Sequence, residues 1–252
     1  MRQSTITVPA MRESGATTSY EAHSVIPLLL AKAEALLLSV DGPLCALTPQ
    51  LSSLGSAERV RELILARGHR VPDELADVAD PYAVMRFAGT VADRPLWCDI
   101  EDVLSRLEDD AMMAAAPTTG AHETVLAARS ATKGVALQAA WTIERYMEIH
   151  GLTEEAYAVG RWIVTPKRWM PDPFPLHLGA SLAGARRPAS ALFVGATALD
   201  AKTAAAAHMP FLGIAGLRAS AEELRASGAE YVLGPEAMSL LAAALRGPAP
   251  RP

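Results

Sequence analysis

The stretch from Ala35 to Leu47, Ala-Leu-Leu-Leu-Ser-Val-Asp-Gly-Pro-Leu-Cys-Ala-Leu, constrains this chain more than any other. Its run of three leucines is short, and Asp41-Gly42-Pro43 breaks it with residues of special backbone preference. The pattern predicts a buried strand that stops abruptly at a polar tip. In a parallel α/β sheet, ligands bind in the crevice beyond the carboxyl ends of such strands.

Residues 1–24, rich in Ser and Thr and without periodicity, read as a flexible tail. Ile26 to Lys32 follows as a short helical lead-in with Pro27 at a first helical position. From Leu51 the spacing turns helical through Val60, Leu63, Ile64 and Leu65, and Pro81 stops that region. Leu96, Ile100, Val103, Leu104 and Leu107 continue it as far as the turn at Pro117-Thr118-Thr119-Gly120.

Beyond that turn, strand and helix patterns alternate. Strands are expected at Gly134–Leu137, Arg161–Val164, Ala191–Gly195, Phe211–Ala215 and Tyr231–Leu233. Helices are expected at His122–Ser130, Ala139–His150 with Gly151 as its stop, Leu176–Leu182, Asp200–His208 and Glu222–Ser227. Such alternation predicts an α/β fold, a Rossmann-like parallel sheet with helices on both faces. The division that results is a core of residues 25–53 and 119–246, a helical insertion at 54–118, and a proline-rich tail at 247–252.

Composition narrows the function classes. A net charge of −5 gives no reason to expect nucleic acid or an anionic membrane as partner, since both attract clustered Lys and Arg. The longest apolar stretch, Val25 to Val40, carries Lys32 and Glu34, so it is too short and too polar to span a bilayer. Two cysteines, Cys45 and Cys98, make no disulfide framework and no Cys-x-x-Cys pair. Reduced thiols in the cytoplasm are the expectation.

The strand tip resembles the first motif of the haloacid dehalogenase (HAD) superfamily, in its phosphoglycolate-phosphatase-like branch. That family ends the strand in Asp-x-Asp-Gly, the first Asp a nucleophile and the second a general acid/base. Here Asp41 and Gly42 match, and Ser39 stands at the nucleophile position. The resemblance runs from about residue 28 to 244, and it implies that the helical insertion is a cap over the active site that selects the substrate. It also implies three further motifs. A phosphate-holding Ser or Thr is expected where this chain has Gln138. A charge-neutralising Lys in Lys-Pro-x-Pro is expected where it reads Met170-Pro171-Asp172-Pro173, with Lys167 and Arg168 just upstream as candidate substitutes. A magnesium-binding Gly-Asp-x-x-x-Asp is expected where it reads Gly195-Ala196-Thr197-Ala198-Leu199-Asp200, which keeps only Asp200.

These departures share one physical consequence. Phosphoryl transfer to a carboxylate needs a nucleophile, a cation that offsets the phosphate charge, and a cradle for its oxygens. Ser39 removes the nucleophile and a magnesium ligand together, Ala196 removes another ligand, and Met170 removes the lysine charge. No metal or other cofactor is therefore expected. Ser39 lacks an obvious base, because the histidines are scattered and read as surface or helix-end residues. Cys45 reads as a small buried hydrophobe.

Asp41 stays open between a general acid/base and a cap on backbone amides of the turn before Pro43, and Asp200 between a site residue and the cap of its helix. Trp141, Trp162 and Trp169 flank the second and third motif positions, where they either fill the core or line an apolar replacement for the phosphate pocket. The expected function is that of a HAD-fold pseudoenzyme that binds a protein or a small molecule. The alternatives are a hydrolase with residual or repurposed, metal-independent chemistry, and a purely structural subunit. Homo-oligomerisation stays open.

Overall fold

The computed structural model describes residues 19–128, 132–135, 139–153, 156–161 and 166–247. Six strands form one parallel sheet: β1 (Ala35–Ser39), β2 (Thr132–Val135), β3 (Ala156–Val159), β4 (Ala191–Gly195), β5 (Phe211–Ile214) and β6 (Tyr231–Leu233). Their spatial order is β3-β2-β1-β4-β5-β6. Every residue of β1 and of β4 is buried, which is why both read as unbroken apolar runs rather than alternating ones.

The order reverses between β1 and β4, whose register sets Leu38 beside Val194. Their carboxyl ends, Ser39 and Gly195, therefore open side by side into the crevice at a topological switch point. This placement locates the site before any side chain is considered.

The helices are α1 (Ser19–Leu30), α2 (Leu47–Ser53), α3 (Ser56–Ala66), α4 (Pro81–Val91), α5 (Arg94–Ala114), α6 (Ala121–Ala128), α7 (Ala140–Ile149), α8 (Phe174–Leu182), α9 (Ala198–Ala206), α10 (Ala221–Ala226) and α11 (Ala237–Arg246). Helices α2 to α5 lie in the connection between β1 and β2 and pack on one another through Val60, Ile64, Met85, Leu96 and Ile100, all fully buried. Helix α1 packs on α11, which also packs on α6.

Several expectations are corrected. The first helix starts at Ser19 rather than near Ile26, with Ala22 and Ile26 buried, so part of the supposed tail is structured and Pro27 lies inside the helix. Helical structure after β1 begins at Leu47, ahead of the expected boundary. Pro81 opens α4 instead of ending a helix: Asp80 is its N-cap and accepts a bond of 2.8 Å from the Tyr82 amide. The third strand is Ala156–Val159, which was not expected; of the expected strand Arg161–Val164 only Arg161 is among the described residues. Arg161 lies beyond its tip, and residues 162–165, with Trp162, fall outside the described residues. The expected second-motif residue Gln138 also falls outside them.

A buried ion cluster fastens α5 to the sheet. Arg161, with no side-chain exposure, donates to both carboxylate oxygens of Glu101 at 2.7 and 2.8 Å, to Ser105 at 3.2 Å, and also to Glu108. Glu108 accepts in turn from the Tyr82 hydroxyl at 3.0 Å and the Ala139 amide at 2.9 Å. Burial pushes the Glu108 carboxyl above its ordinary range, while the Arg161 charge pulls the other way. Removing any one member leaves charge or polar groups unpaired in the core.

Candidate functional site

At the tip of β1 the chain turns through Gly42, whose φ of +107° suits glycine and strains other residues. The turn brings Asp41 to the amino end of α2. One Asp41 oxygen accepts from the Leu47 and Thr48 amides at 3.2 and 3.0 Å, and the other accepts from the Thr48 hydroxyl and pairs with Arg218 Nε at 2.8 Å. Asp41 thus caps amides that lie beyond the turn, at α2, rather than those before Pro43. Its counter-charge comes from the loop after β5.

Asp200 is held on the neighbouring strand's side. It is the third residue of α9, where it forms a capping box with Thr197: one oxygen accepts from the Ala196 and Thr197 amides at 3.0 Å each, and its own amide donates to the Thr197 hydroxyl at 3.0 Å. Gly195 makes room for this, because a Cβ there would lie 2.5 Å from that of Asp200. Burial raises the Asp200 carboxyl to about 6, offset by Thr197, the two amides and the nearby Ser39 hydroxyl.

Ser39, Asp41, Asp200 and Arg218 line one cavity of about 160 Å³, walled on the other side by Asp80, Tyr82 and Arg86 of the α4 region. Arg86 lies 4.0 Å from Asp80. Met170, 2% exposed, fills the place expected of the third-motif lysine and contributes an apolar wall. Neither upstream cation takes its place. Lys167 lines an adjoining cavity with Arg86, and Arg168 stacks on the Phe174 ring, 5.0 Å from its centroid. Gly42 forms the turn behind the cavity, with Ala196 fully buried against it.

The tryptophans divide. Trp169 is buried against Trp97, their ring centres 4.8 Å apart, whereas Trp141 is exposed, so neither lines this cavity. Cys45 is fully buried with its sulfur 3.7 Å from that of Met112, and burial pushes its thiol far above the ordinary range, which leaves it inert. The histidines are not all scattered. His122 and His150 meet with ring centres 4.7 Å apart, and His122 bonds the Tyr146 hydroxyl at 3.0 Å, away from the cavity.

No family model matches the sequence, and no curated protein does. Solved structures match over most of their length. A candidate phosphoglycolate phosphatase from Lactobacillus delbrueckii subsp. bulgaricus is 15% identical with a TM-score of 0.59, the match covering 85% of this chain and 99% of that one. This chain has the haloacid dehalogenase fold. A HAD family hydrolase from Deinococcus radiodurans, solved with bound phosphate and sodium, is 21% identical over 87% of this chain and 100% of its own, with a TM-score of 0.55. A haloacid dehalogenase-like hydrolase from Streptococcus pneumoniae is 13% identical over 84% and 99%, also at 0.55.

The magnesium ion implied for a HAD-fold phosphatase does not fit the residues present. Magnesium takes carboxylates and waters in octahedral array. Ser39 is neutral and the Ala196 side chain has no donor; both Asp41 oxygens and one of Asp200 are already bonded. Among the described residues no three His, Cys, Asp or Glu side chains are grouped to hold a metal.

Arg218, Thr48, Tyr82 and Arg86 were not foreseen. The rule that ligands bind beyond strand ends points to the loop after β5, and so to Arg218. Nothing in the local pattern marks the other three.

Proposed function

We propose that this HAD-fold chain has given up aspartyl-phosphate chemistry and acts by binding, with a small polar molecule in the cleft between the sheet's carboxyl edge and the α4 region. The carrying observation is the ion pair of Asp41 with Arg218 at 2.8 Å, in a cleft whose nucleophile position holds Ser39. A general acid/base must reach a reacting atom, and Asp41 is instead committed to two amides, a hydroxyl and a guanidinium. In this reading the helical insertion, residues 54–118, is the cap, and α4 is the part of it that meets the ligand. The protein works in the cytoplasm, which is supported by two free cysteines and by the lack, among the described residues, of any helix long and apolar enough to cross a membrane. A protein partner on the outer surface is compatible with the same cleft.

A second reading rests on Ser39 and Asp200 lining the same cavity. A carboxylate raised to about 6 is a better base than an ordinary one, so a metal-independent hydrolase would use Ser39 as nucleophile and Asp200 as its base. The capping bonds on Asp200 weigh against it. The deciding experiment is hydrolysis of p-nitrophenyl phosphate with magnesium and of p-nitrophenyl acetate without it, beside Asp41→Asn and Asp200→Asn. The binding reading expects neither ester to turn over above background. Phosphate hydrolysis lost in Asp41→Asn would overturn it, and acetate hydrolysis lost in Asp200→Asn would establish the second reading.

A further inference from the structure

We infer that Arg218 is the resident cation of the cleft: its guanidinium takes over the charge-balancing role of a divalent ion and keeps such an ion out. What neutralises the strand tip stands apart from whether the cleft catalyses.

Three observations converge on one place. Where the resemblance implies ion-binding carboxylates this chain has Ser39 and Ala196, so the carboxylates of the cleft beside the sheet are Asp41 and the capped Asp200. A carboxylate at a half-buried strand tip favours a nearby positive charge, and Arg218 supplies it at 2.8 Å, with 13% of the Asp41 side chain and 27% of the Arg218 side chain exposed.

The geometry joins the lost position to the gained one. A methyl group on Gly42 would lie 2.6 Å from the Ala196 Cβ and 3.1 Å from the Arg218 Cγ. The arginine stem therefore crosses the same glycine against which Ala196 is buried. Where an aspartate at 196 would have faced an ion, this chain packs a methyl group and lays a cationic side chain over the turn. Leu217, 3.6 Å from the same point, seats the loop on that turn.

The arginine also comes from outside the four motif segments, on the connection between β5 and α10, so it does not stand in sequence for any of the missing residues. What it replaces is a charge. A tethered guanidinium with a fixed fork of donors suits a carboxylate and needs no octahedral shell. A divalent cation brought near it is repelled, so occupancy by the ion and by Arg218 exclude each other.

The test uses Mn²⁺ as probe, read by electron paramagnetic resonance on the full-length protein. The wild type is expected to bind no Mn²⁺ in the cleft at millimolar concentration. In a Ser39→Asp background, which returns one carboxylate, adding Arg218→Ala should tighten Mn²⁺ binding about tenfold or more, and adding Arg218→Lys should not. A second comparison introduces no new buried charge: Arg218→Ala alone should gain a Mn²⁺-dependent rise in melting temperature that wild type and Arg218→Lys lack. Wild-type binding as tight as that of the alanine variants would overturn the inference. So would the absence of any gain on removing Arg218 in both backgrounds, because the guanidinium would then not be holding a cation position.

Discussion

Arg161 and Arg218 both neutralise carboxylates brought by distant parts of the chain, under opposite conditions of solvent. Arg161 is sealed from water between Glu101 and Glu108, whose side chains are 10% and 0% exposed, whereas Arg218 stays partly wet beside Asp41. In the core cluster each charge was desolvated to make the pair, so its members cannot exchange partners without leaving a bare charge behind. At the strand tip, water and three other hydrogen bonds share the work, and Arg218 can give up Asp41 at modest cost. The first arrangement fixes α5 to the sheet. The second is where the proposed ligand would compete.

The sharpest way to break this contrast is Arg161→Met. It strands two glutamates in the core and should lower unfolding free energy by about 3–5 kcal/mol in urea titration. A loss near that of an exposed pair would mean that the cluster is not held by charge, and the contrast would fall.

Asp200 sharpens the comparison, being a buried carboxylate of the cleft with no arginine bonded to it. Its folded value of about 6 lies above the ordinary 3.8, so the stability it contributes is fully present below about pH 3.8 and is lost as pH rises through 6. The span corresponds to roughly 3 kcal/mol. Both capping amides bond to a single Asp200 oxygen, which an asparagine can reproduce. Urea midpoints from pH 4 to 7 should therefore fall less steeply in Asp200→Asn than in wild type, by about that amount; parallel curves would show that the burial of Asp200 is not felt as a proton equilibrium.

The smallest effect belongs to Arg218→Ala, no more than about 1 kcal/mol and shrinking in high salt. A loss as large as that of Arg161→Met, insensitive to salt, would put both arginines in one class and remove the argument that the cleft pair is exchangeable.

The sheet was legible where burial alone specifies it. In β1 and β4 both faces are covered, so the apolar runs Leu36–Leu38 and Ala191–Val194 could be read without partners. At the edge the strand Ala156–Val159 was not foreseen, and Arg161, expected to open a strand, belongs to the ion cluster. Pro81 was misjudged because a proline that ends one helix and a proline that opens another look alike until the Asp80 cap is seen. Of the cleft, the strand-tip residues Ser39, Asp41 and Asp200 were visible as motif positions. Arg218 and Arg86 were not, since nothing local in a loop or on a helix tells which distant carboxylate its charge will meet.

The register that sets Leu38 beside Val194 also governs when the site can exist. Strand β1 is made before both of its neighbours, and one of them, β4, is made only after the whole helical connection, β2 and β3 have followed. Until then one full edge of β1 has no hydrogen-bonding partner, and closing so long a loop is a slow step. A nascent chain of this protein therefore carries an apolar strand with an open edge until β4 has been made, so the feature that centres the finished sheet is also exposed to mispairing while the sheet is incomplete.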